Sequence, residues 1–380
     1  MTDSTNTTNA TAPQRPKLKD FLRIMVKENA SDLVLKSGGC PAIRVAGQIR
    51  FLGDTPLPRD LLLSFGEEVL TDRCKEEFRM VGATDTAVAV QGVGRFRCNV
   101  FHQSGEIGFV FRAIKQEIPS FKDLNLPVDP LKRLASLKRG LVLATGIAGS
   151  GKSTTLASMI EFINRNMNKH IITIENPIEF KFEDKRSVVN QREIGVDVSD
   201  FPNALRQAVR QSPDVILIGE MRDPETVSAA ISAAETGHLV FSTLHTVNAV
   251  QTVERIISFF PPHQHDLIRL QLALNLAGVV SMRLIKNKDG TAMVPAVELL
   301  INTPTVREML EQGQTRSLPK ALAEGGYYGT MTFNQSLIRL FQAGNISLEE
   351  ALAASDNPDD LKMQMRGITQ GSINHPVPQA

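Results

Sequence analysis

The sequence predicts an α/β protein in which a mostly parallel sheet follows a smaller α+β domain. Three observations predict it. Short apolar runs, Leu141 to Thr145, Ile171 to Ile174, Val215 to Ile218 and Leu239 to Thr243, alternate with stretches of helical periodicity, the pattern of parallel strands joined by helical crossovers. The first run leads into the glycine-rich segment Gly146-Ile-Ala-Gly-Ser-Gly151-Lys152-Ser153 and then into the helical stretch Thr154 to Asn164. The breaks Ile118-Pro119 and Leu126-Pro127 set this part apart from what precedes it.

Taken in order, residues 1–16 are rich in Thr, Asn, Ala and Pro without an apolar core, so they are expected to be a disordered tail and not a signal peptide. Residues 17–118 are expected to form the small α+β domain, with an amphipathic helix near Asp20 to Glu28 and short strands such as Ile43 to Val45 and Arg95 to Phe101. A linker is expected over 119–128. The second domain, 129–368, begins with the strand and helix alternation and is expected to turn helical after Pro295, with Thr303-Pro304, Gly313 and Gly344 as caps and stops. A polar flexible tail, 369–380, closes the chain, and there is no internal repeat.

At 380 residues with 42% apolar content the chain can bury sizeable cores. Its 42 basic and 41 acidic residues nearly cancel, which gives no global electrostatic reason to expect nucleic acid or an anionic membrane as partner. Cys40, Cys74 and Cys98 are too few and scattered for a disulfide framework or a paired metal site, so buried free thiols are expected. The longest apolar candidate, Leu267 to Leu284, is interrupted by Arg269, Asn275 and Arg283, so no membrane span is expected and the composition reads as cytosolic.

The spacing glycine, four residues, glycine, lysine, serine between a strand and a helix is that of a P-loop. Small residues let successive backbone N–H groups curl around phosphate oxygens, and the helix start adds its positive dipole end. Gly146, Ala148, Gly149, Ser150, Gly151, Lys152, Ser153 and Thr154 are therefore the expected nucleotide-binding set. Lys152 should reach the β and γ phosphates of ATP, and Ser153 should place its hydroxyl on Mg²⁺.

Downstream, Asp214-Val-Ile-Leu-Ile-Gly219-Glu220 reads as a strand with Glu220 just past its end, where a metal ion or the attacking water would sit. Gly219 occupies the usual Walker B aspartate position, so Glu220 is expected to act alone as Mg²⁺ partner or base, unless Asp214 lies closer than its place at the strand start suggests. A second strand delivers Glu175 and Glu179 to the same sheet edge, and Glu175 is the better candidate for polarising water. Pro177 holds Asn176 extended, so the two glutamates share no helical face. Thr243-Leu-His245 at the end of a further strand suits a donor to a γ phosphate; His238, at its start, is the weaker candidate.

Alternation over Arg95 to Ile114 puts Phe96, Cys98 and Val100 on one face and Arg95, Arg97 and Asn99 on the other. A two-residue turn at Ser104-Gly105 would set Cys98 and Val100 opposite Phe111 and Phe109, and Arg97 opposite Arg112. Two like charges so placed cost up to about 1 kcal/mol relative to a neutral pair. An anion would remove that cost, and the phosphate of a nucleotide bound to the second domain is the expected one.

Together, Gly146 to Ser153, Thr173-Ile-Glu175-Asn-Pro-Ile-Glu179, Asn190-Gln-Arg-Glu193, Asp214 to Asp223, Ala234-Glu-Thr-Gly-His-Leu239 and Thr243-Leu-His-Thr246 resemble the type IV pilus retraction ATPases, the PilT family with its paralogue PilU. The resemblance runs from about Leu18 to Ile368 and includes Ser31-Asp-Leu33, Arg95-Phe-Arg97 and Thr332-Phe-Asn334. It implies a RecA-like P-loop ATPase domain preceded by a PAS-like domain and followed by C-terminal helices. It implies a homo-hexamer at the inner-membrane face, acting on the pilus platform protein, with ATP and Mg²⁺ as cofactors. Glu175, Glu220, His245, Arg97 and Arg112 are then the catalytic candidates, and Ser153 and Glu220 the metal partners.

Two departures stand out. Asn176 replaces the usual aspartate of the acidic box, and Thr303-Pro-Thr-Val-Arg-Glu-Met-Leu-Glu311 differs from the family's Ala-Ile-Arg-Asn-Leu-Ile-Arg-Glu helix. They keep an accessory, paralogue-dependent role open. A pilus-assembly or type II secretion ATPase is disfavoured because no cysteine follows Cys98 to build the four-cysteine zinc element and the first domain starts near Lys17. A nucleotide switch without turnover is disfavoured by Glu220, Glu175 and His245. A nucleic-acid motor is disfavoured by the neutral charge, the two tyrosines and the absence of tryptophan.

Overall fold

The computed structural model describes residues 16–45, 47–114 and 117–366; the expected N-terminal and C-terminal tails lie outside them, except Pro16. The chain divides into two compact units, Met1–Gln116 and Glu117–Ala380.

The first unit opens with α1 (Leu18–Lys27), whose Leu18, Phe21, Leu22 and Met25 recur at helical spacing and are buried. The helix starts before the expected Asp20 because Asp20 caps it, accepting from the Lys17 N–H at 3.1 Å. Strands β1 (Asp32–Lys36), β2 (Ala42–Val45) and β3 (Gln48–Phe51) are followed by helices α2 (Arg59–Val69) and α3 (Asp72–Val81). Strands β4 (Ala83–Val90), β5 (Gly94–Gln103) and β6 (Glu106–Ile114) complete the unit. All pairings are antiparallel, in the order β3-β2-β1-β6-β5-β4.

The β5–β6 hairpin has the expected register. Ser104 and Gly105 take φ of 50° and 79°, the left-handed pair whose twist matches the flanking strands. Cys98 then faces Phe111, Val100 faces Phe109, and Arg97 faces Arg112. Phe96, Cys98, Val100, Phe109 and Phe111 are buried against α1 and α2. All three cysteines are free, but only Cys98 is buried; Cys40 and Cys74 are partly exposed, contrary to expectation. Burial pushes the Cys98 thiol well above its ordinary range, which keeps it an unreactive core group.

The second unit starts with α4 (Val128–Ala135) and β7 (Gly140–Thr145). Next come α5 (Lys152–Asn166), β8 (His170–Glu175), β9 (Val188–Glu193), α6 (Phe201–Ala208), β10 (Val215–Ile218), α7 (Pro224–Glu235) and β11 (Leu239–Leu244). Helices α8 (Ala249–Ser258) and α9 (His265–Asn275) lead to β12 (Leu276–Lys286) and β13 (Met293–Ile301). The order is β13-β12-β7-β11-β10-β8-β9, parallel throughout except for β13 against β12. Alternation buries both faces. Leu141, Leu143, Ile172 and Ile216 pack with α6 to α9, while Val142, Ala144, Ile171 and Leu217 pack with α5, so the mostly parallel sheet expected is covered by helices on both faces.

The expectation of helix after Pro295 is corrected: the strand runs through it to Ile301. Pro295 lies on β13, an edge strand, opposite Leu284 of β12, and an edge is where a sheet accepts a residue without an N–H. Helices α10 (Pro304–Glu311), α11 (Leu318–Glu324), α12 (Phe333–Gln342), α13 (Leu348–Ala354) and α14 (Pro358–Met365) follow. Thr332 and Gln335 form a reciprocal capping box at the start of α12, and Asn334 donates to Asp360 at 2.9 Å, which is what the Thr332-Phe-Asn334 motif does locally. Among the described residues no helix is long and apolar enough to cross a membrane.

Candidate active site

Four adjacent parallel strands end at one edge of the second unit's sheet, and each delivers a sequence-predicted residue there. Thr145 of β7 pairs with Leu244 of β11, Ser242 of β11 with Ile218 of β10, and Ile218 with Ile174 of β8. The glycine-rich loop, His245, Glu220 and Glu175 follow or close these strands in that order.

The loop is tightly folded. Gly146 has φ of 143°, and a Cβ there would lie 2.4 Å from Ser150 Oγ and 2.6 Å from the Met282 carbonyl oxygen. Only glycine fits. Strand β12 backs the loop: Thr145 Oγ1 donates to Ser281 Oγ at 2.9 Å, and Thr155 Oγ1 donates to Met282 Sδ at 3.1 Å. Helix α5 begins at Lys152, so its first N–H groups open into the loop. Ser150 Oγ is buried without a hydrogen-bond partner among the described residues. Ala148 and Ser153 are exposed and Thr154 is half-buried. Small residues, a helix start and an orphaned hydroxyl fit a phosphate-bearing ligand.

Lys152 is largely buried, and its Nζ donates to the carbonyl oxygens of Gly146 and Ile147, both at 2.9 Å. Burial pulls its ammonium below the usual lysine range, while the carboxylates of Glu179 and Glu220 pull it back up. A lysine in this state gains from any further anion placed beside it.

Glu220 is held by Arg222, whose Nε lies 2.7 Å from Glu220 Oε2, and His245 Nε2 lies 3.8 Å from the same oxygen. Burial lowers the His245 imidazole, Lys152 lowers it further, and Glu220 opposes both. The lowering favours the neutral ring, which can donate from one nitrogen and accept at the other. The turns are tied together, since Thr243 Oγ1 donates to the Gly219 carbonyl at 2.6 Å and Met221 N–H to the Thr243 carbonyl at 3.1 Å. A Cβ on Gly219 would meet Glu175 Cα and the Ile174 carbonyl at 3.4 Å and the Phe201 ring at 3.7 Å. The room of a Walker B aspartate is bounded by Glu175 itself.

Glu175 is buried. Its Oε1 accepts from Thr173 Oγ1 at 2.7 Å and Gln191 Nε2 at 3.2 Å, and its Oε2 from the Glu179 N–H at 3.5 Å. Burial outweighs these bonds and pushes its carboxyl above the ordinary range, the direction that suits a general base working near neutral pH. Gln191 also donates to the Phe180 carbonyl and accepts from the Phe182 N–H, clamping the 176–182 segment around Glu175.

His238 and Asp214 lie at the opposite ends of their strands. His238 Nδ1 contacts the Ala233 carbonyl at 2.9 Å at the end of α7. Asp214 binds Lys169 Nζ at 2.7 Å and accepts from the His170 N–H at 2.9 Å. Both side chains bond at the strand starts, away from the glycine-rich loop.

Arg97 and Arg112, in the first unit, face each other as expected, but the like-charge argument is corrected. Arg112 Nε donates to Asp32 Oδ1 at 2.8 Å, from directly across on β1, and Arg97 lies 3.6 Å from Asp85 Oδ2 on β4. The unit supplies its own counter-charges, so repulsion between the two does not by itself demand an anion. Both guanidinium side chains remain substantially exposed.

The residue reading missed Arg222, Thr173, Gln191 and Glu298. Arg222 was within reach, two positions past Glu220. Glu298 gave no local signal: it faces Ser281 on β12, is half-buried, and its Oε1 accepts from the Ala249 N–H at 2.8 Å. Ala249 is the first residue of α8, just past the His245 turn. Burial raises the Glu298 carboxyl from 4.5 to about 7, with the Ala249 bond and Arg283 opposing and Asp356 adding to the rise.

The raised Glu298 carboxyl makes stability fall as pH rises. Its stabilising contribution is complete below pH 4.5 and is lost as pH rises through about 7, because the unfolded chain ionises first; the change is about 3 kcal/mol. Glu298→Gln keeps the acceptor for Ala249 and removes the titration. Urea unfolding of the variant is expected to lose this pH dependence between pH 5 and 8 and to show the variant the more stable at pH 8. Equal pH dependence in both proteins would assign it elsewhere.

Residues 95–357 match the family model described as Type II/IV secretion system protein. The chain is 38% identical to the type IV pilus ATPase PilU of Pseudomonas aeruginosa over 94% of each chain. It is 40% identical to the type IV pilus retraction ATPase PilT of the same organism, over 90% of this chain and 99% of that one. A crystal structure of the pilus retraction motor PilT with bound ADP superposes with a TM-score of 0.85 at 42% identity, covering 92% of this chain and 99% of that one. The chain belongs to the type IV pilus retraction ATPase family of PilT and PilU.

Proposed function

We propose that the protein is an ATP-hydrolysing motor that powers pilus retraction, and hence twitching motility, as a homo-hexamer acting on the pilus platform protein at the inner-membrane face. The observation that carries the reading is the convergence of the glycine-rich loop, Glu220, His245 and Glu175 at one sheet edge. The neighbouring chains named as retraction ATPase and as twitching motility protein support it, as does ADP in the PilT structure.

In this reading the loop N–H groups from Gly146 to Thr154 hold the phosphates and Lys152 moves from its carbonyl acceptors to the β and γ oxygens. Glu175 takes a proton from the attacking water, and His245 donates to the γ phosphate. Among the described residues no three His, Cys, Asp or Glu side chains cluster as a metal cage, which suits Mg²⁺, an ion that usually keeps water and phosphate oxygens as ligands. Ser153 and Glu220 would hold it, and it would supply charge neutralisation of the phosphates. Arg97 and Arg112 would add positive charge at the γ phosphate, since each keeps exposed donors beyond its aspartate.

Phosphate release by the purified chain with Mg·ATP tests the enzyme. Arg97→Ala and Arg112→Ala are each expected to lower kcat at least about tenfold with nucleotide affinity changed far less; intact turnover in both would remove the arginines from the mechanism. A strain lacking the gene is expected to carry more surface pili and to lose twitching, whereas bare cells would make the protein an assembly motor. The 38% identity to PilU over nearly the whole chain, with the altered 303–311 segment, favours one second reading, an accessory ATPase dependent on a paralogue. Unchanged piliation in the deletion strain would select it.

A further inference from the structure

At the other end of the sheet from the P-loop, the start of β7, the start of β12, the end of β13 and the chain after α4 enclose a cavity of about 420 Å³. That volume lies within the range of ligand sites. Three arginines line it, Arg133, Arg139 and Arg307. Arg133 donates to the Tyr328 carbonyl at 3.1 Å. Among the described residues none of the three is paired with a carboxylate. Like charges around one concavity repel each other, and an acidic ligand would relieve this.

A second feature is the rigidity of the cavity wall. Asn302 lines the same cavity, and its Nδ2 donates to the carbonyls of Ala273 at 2.9 Å and Leu276 at 2.6 Å. Those bonds fix the amide orientation. Its Oδ1 is buried and has no donor among the described residues, an acceptor of the kind a native structure usually satisfies.

The third feature decides between a small anion and a protein. Leu274 of α9 lines the cavity and is 58% exposed, and the stripe continues out of it through Leu270 and Leu267, 46% and 56% exposed. Positions 267, 270 and 274 share one helix face, while Ile268, Leu272 and Ala273 face the core. A free phosphate or nucleotide would leave Leu267 and Leu270 in water. A peptide carries carboxylates for the arginines and apolar side chains for the stripe.

We propose that this cavity and the adjoining α9 face are a docking site for an acidic, leucine-bearing segment of a partner protein, separate from the nucleotide site. The partner engages a surface that none of the catalytic candidates contributes to, so its binding and ATP turnover can be read independently.

The test uses the full chain and a fluorescein-labelled helical peptide with leucine on one face and glutamate on the other. Saturable binding is expected, weakened at least about tenfold by the double variant Arg139→Glu with Arg307→Glu and, separately, by Leu270→Ser. The same peptide with lysine for glutamate is expected not to bind, and phosphate release by both variants is expected to stay within twofold of the parent, about 0.4 kcal/mol. Thermal melts confirm folding, and Arg139→Ala with Arg307→Ala repeats the test if charge reversal disrupts it. Absence of saturable binding, or equal binding to every variant, overturns the proposal. So does displacement of the peptide by inorganic pyrophosphate with Leu270→Ser unaffected, which would make the cavity a small-anion site. Loss of self-assembly in the charge-reversed variant with peptide binding intact would make the face an interface between copies.

Discussion

Lys152→Ala is expected to lower ATP turnover by at least about a hundredfold and to leave the fold in place. The lysine is enclosed, and burial already disfavours its charge. Its two hydrogen bonds go to the carbonyls of Gly146 and Ile147 within its own loop, so removing it takes away a desolvated cation together with the bonds that compensate it. The net change in stability is therefore expected to be small, within about 1 kcal/mol, because these terms oppose each other. Nothing offsets the loss on the chemical side, where Lys152 is the one cation of the loop able to follow negative charge onto the β and γ oxygens. Nucleotide affinity and phosphate release should be measured on the same preparation. Turnover within tenfold of the parent would show that another group supplies the charge. A collapsed unfolding transition would instead mean that the loop conformation depends on those two carbonyl bonds.

What could be read before the structure was whatever a short stretch of chain decides by itself. The glycine-rich loop is such a stretch: its spacing, the strand before it and the helix after it lie between Gly140 and Asn166. The β5–β6 register is another, because a two-residue turn with two left-handed residues fixes every pair along the hairpin, Arg97 with Arg112 included. What escaped depended on elements distant in sequence. Asp32 neutralises Arg112 only because β1 pairs with β6, and Glu298 reaches Ala249 only because β13 lies at the edge beyond β12. No periodicity announces either neighbour. Pro295 misled for a related reason: proline is excluded from interior strands, and only the position of β13 at the sheet edge lets the strand continue through it.

Glu220→Gln is expected to lower ATP turnover at least about a hundredfold while nucleotide affinity changes far less. Glutamine keeps the size of the side chain and one acceptor for Arg222, whose Nε now lies 2.7 Å from the carboxylate, but it removes the charge on which the cluster depends. Glu220 attracts Lys152 and opposes the pull of burial on His245, so the substitution leaves Lys152 and Arg222 with less compensation and drives the His245 imidazole further toward its neutral form. That second effect gives the experiment a discriminating readout. If Glu220 holds Mg²⁺, the variant should need a higher magnesium concentration for half-maximal turnover. If it acts only by tuning the histidine, the magnesium requirement should stay fixed and the acid limb of the pH–rate profile should shift to lower pH. Combining the change with Glu175→Gln separates the two carboxylates: if they serve one step, the double variant should lose little more than the slower single variant. Multiplication of the two losses would assign them to independent steps, and turnover within twofold of the parent would remove Glu220 from the chemistry altogether.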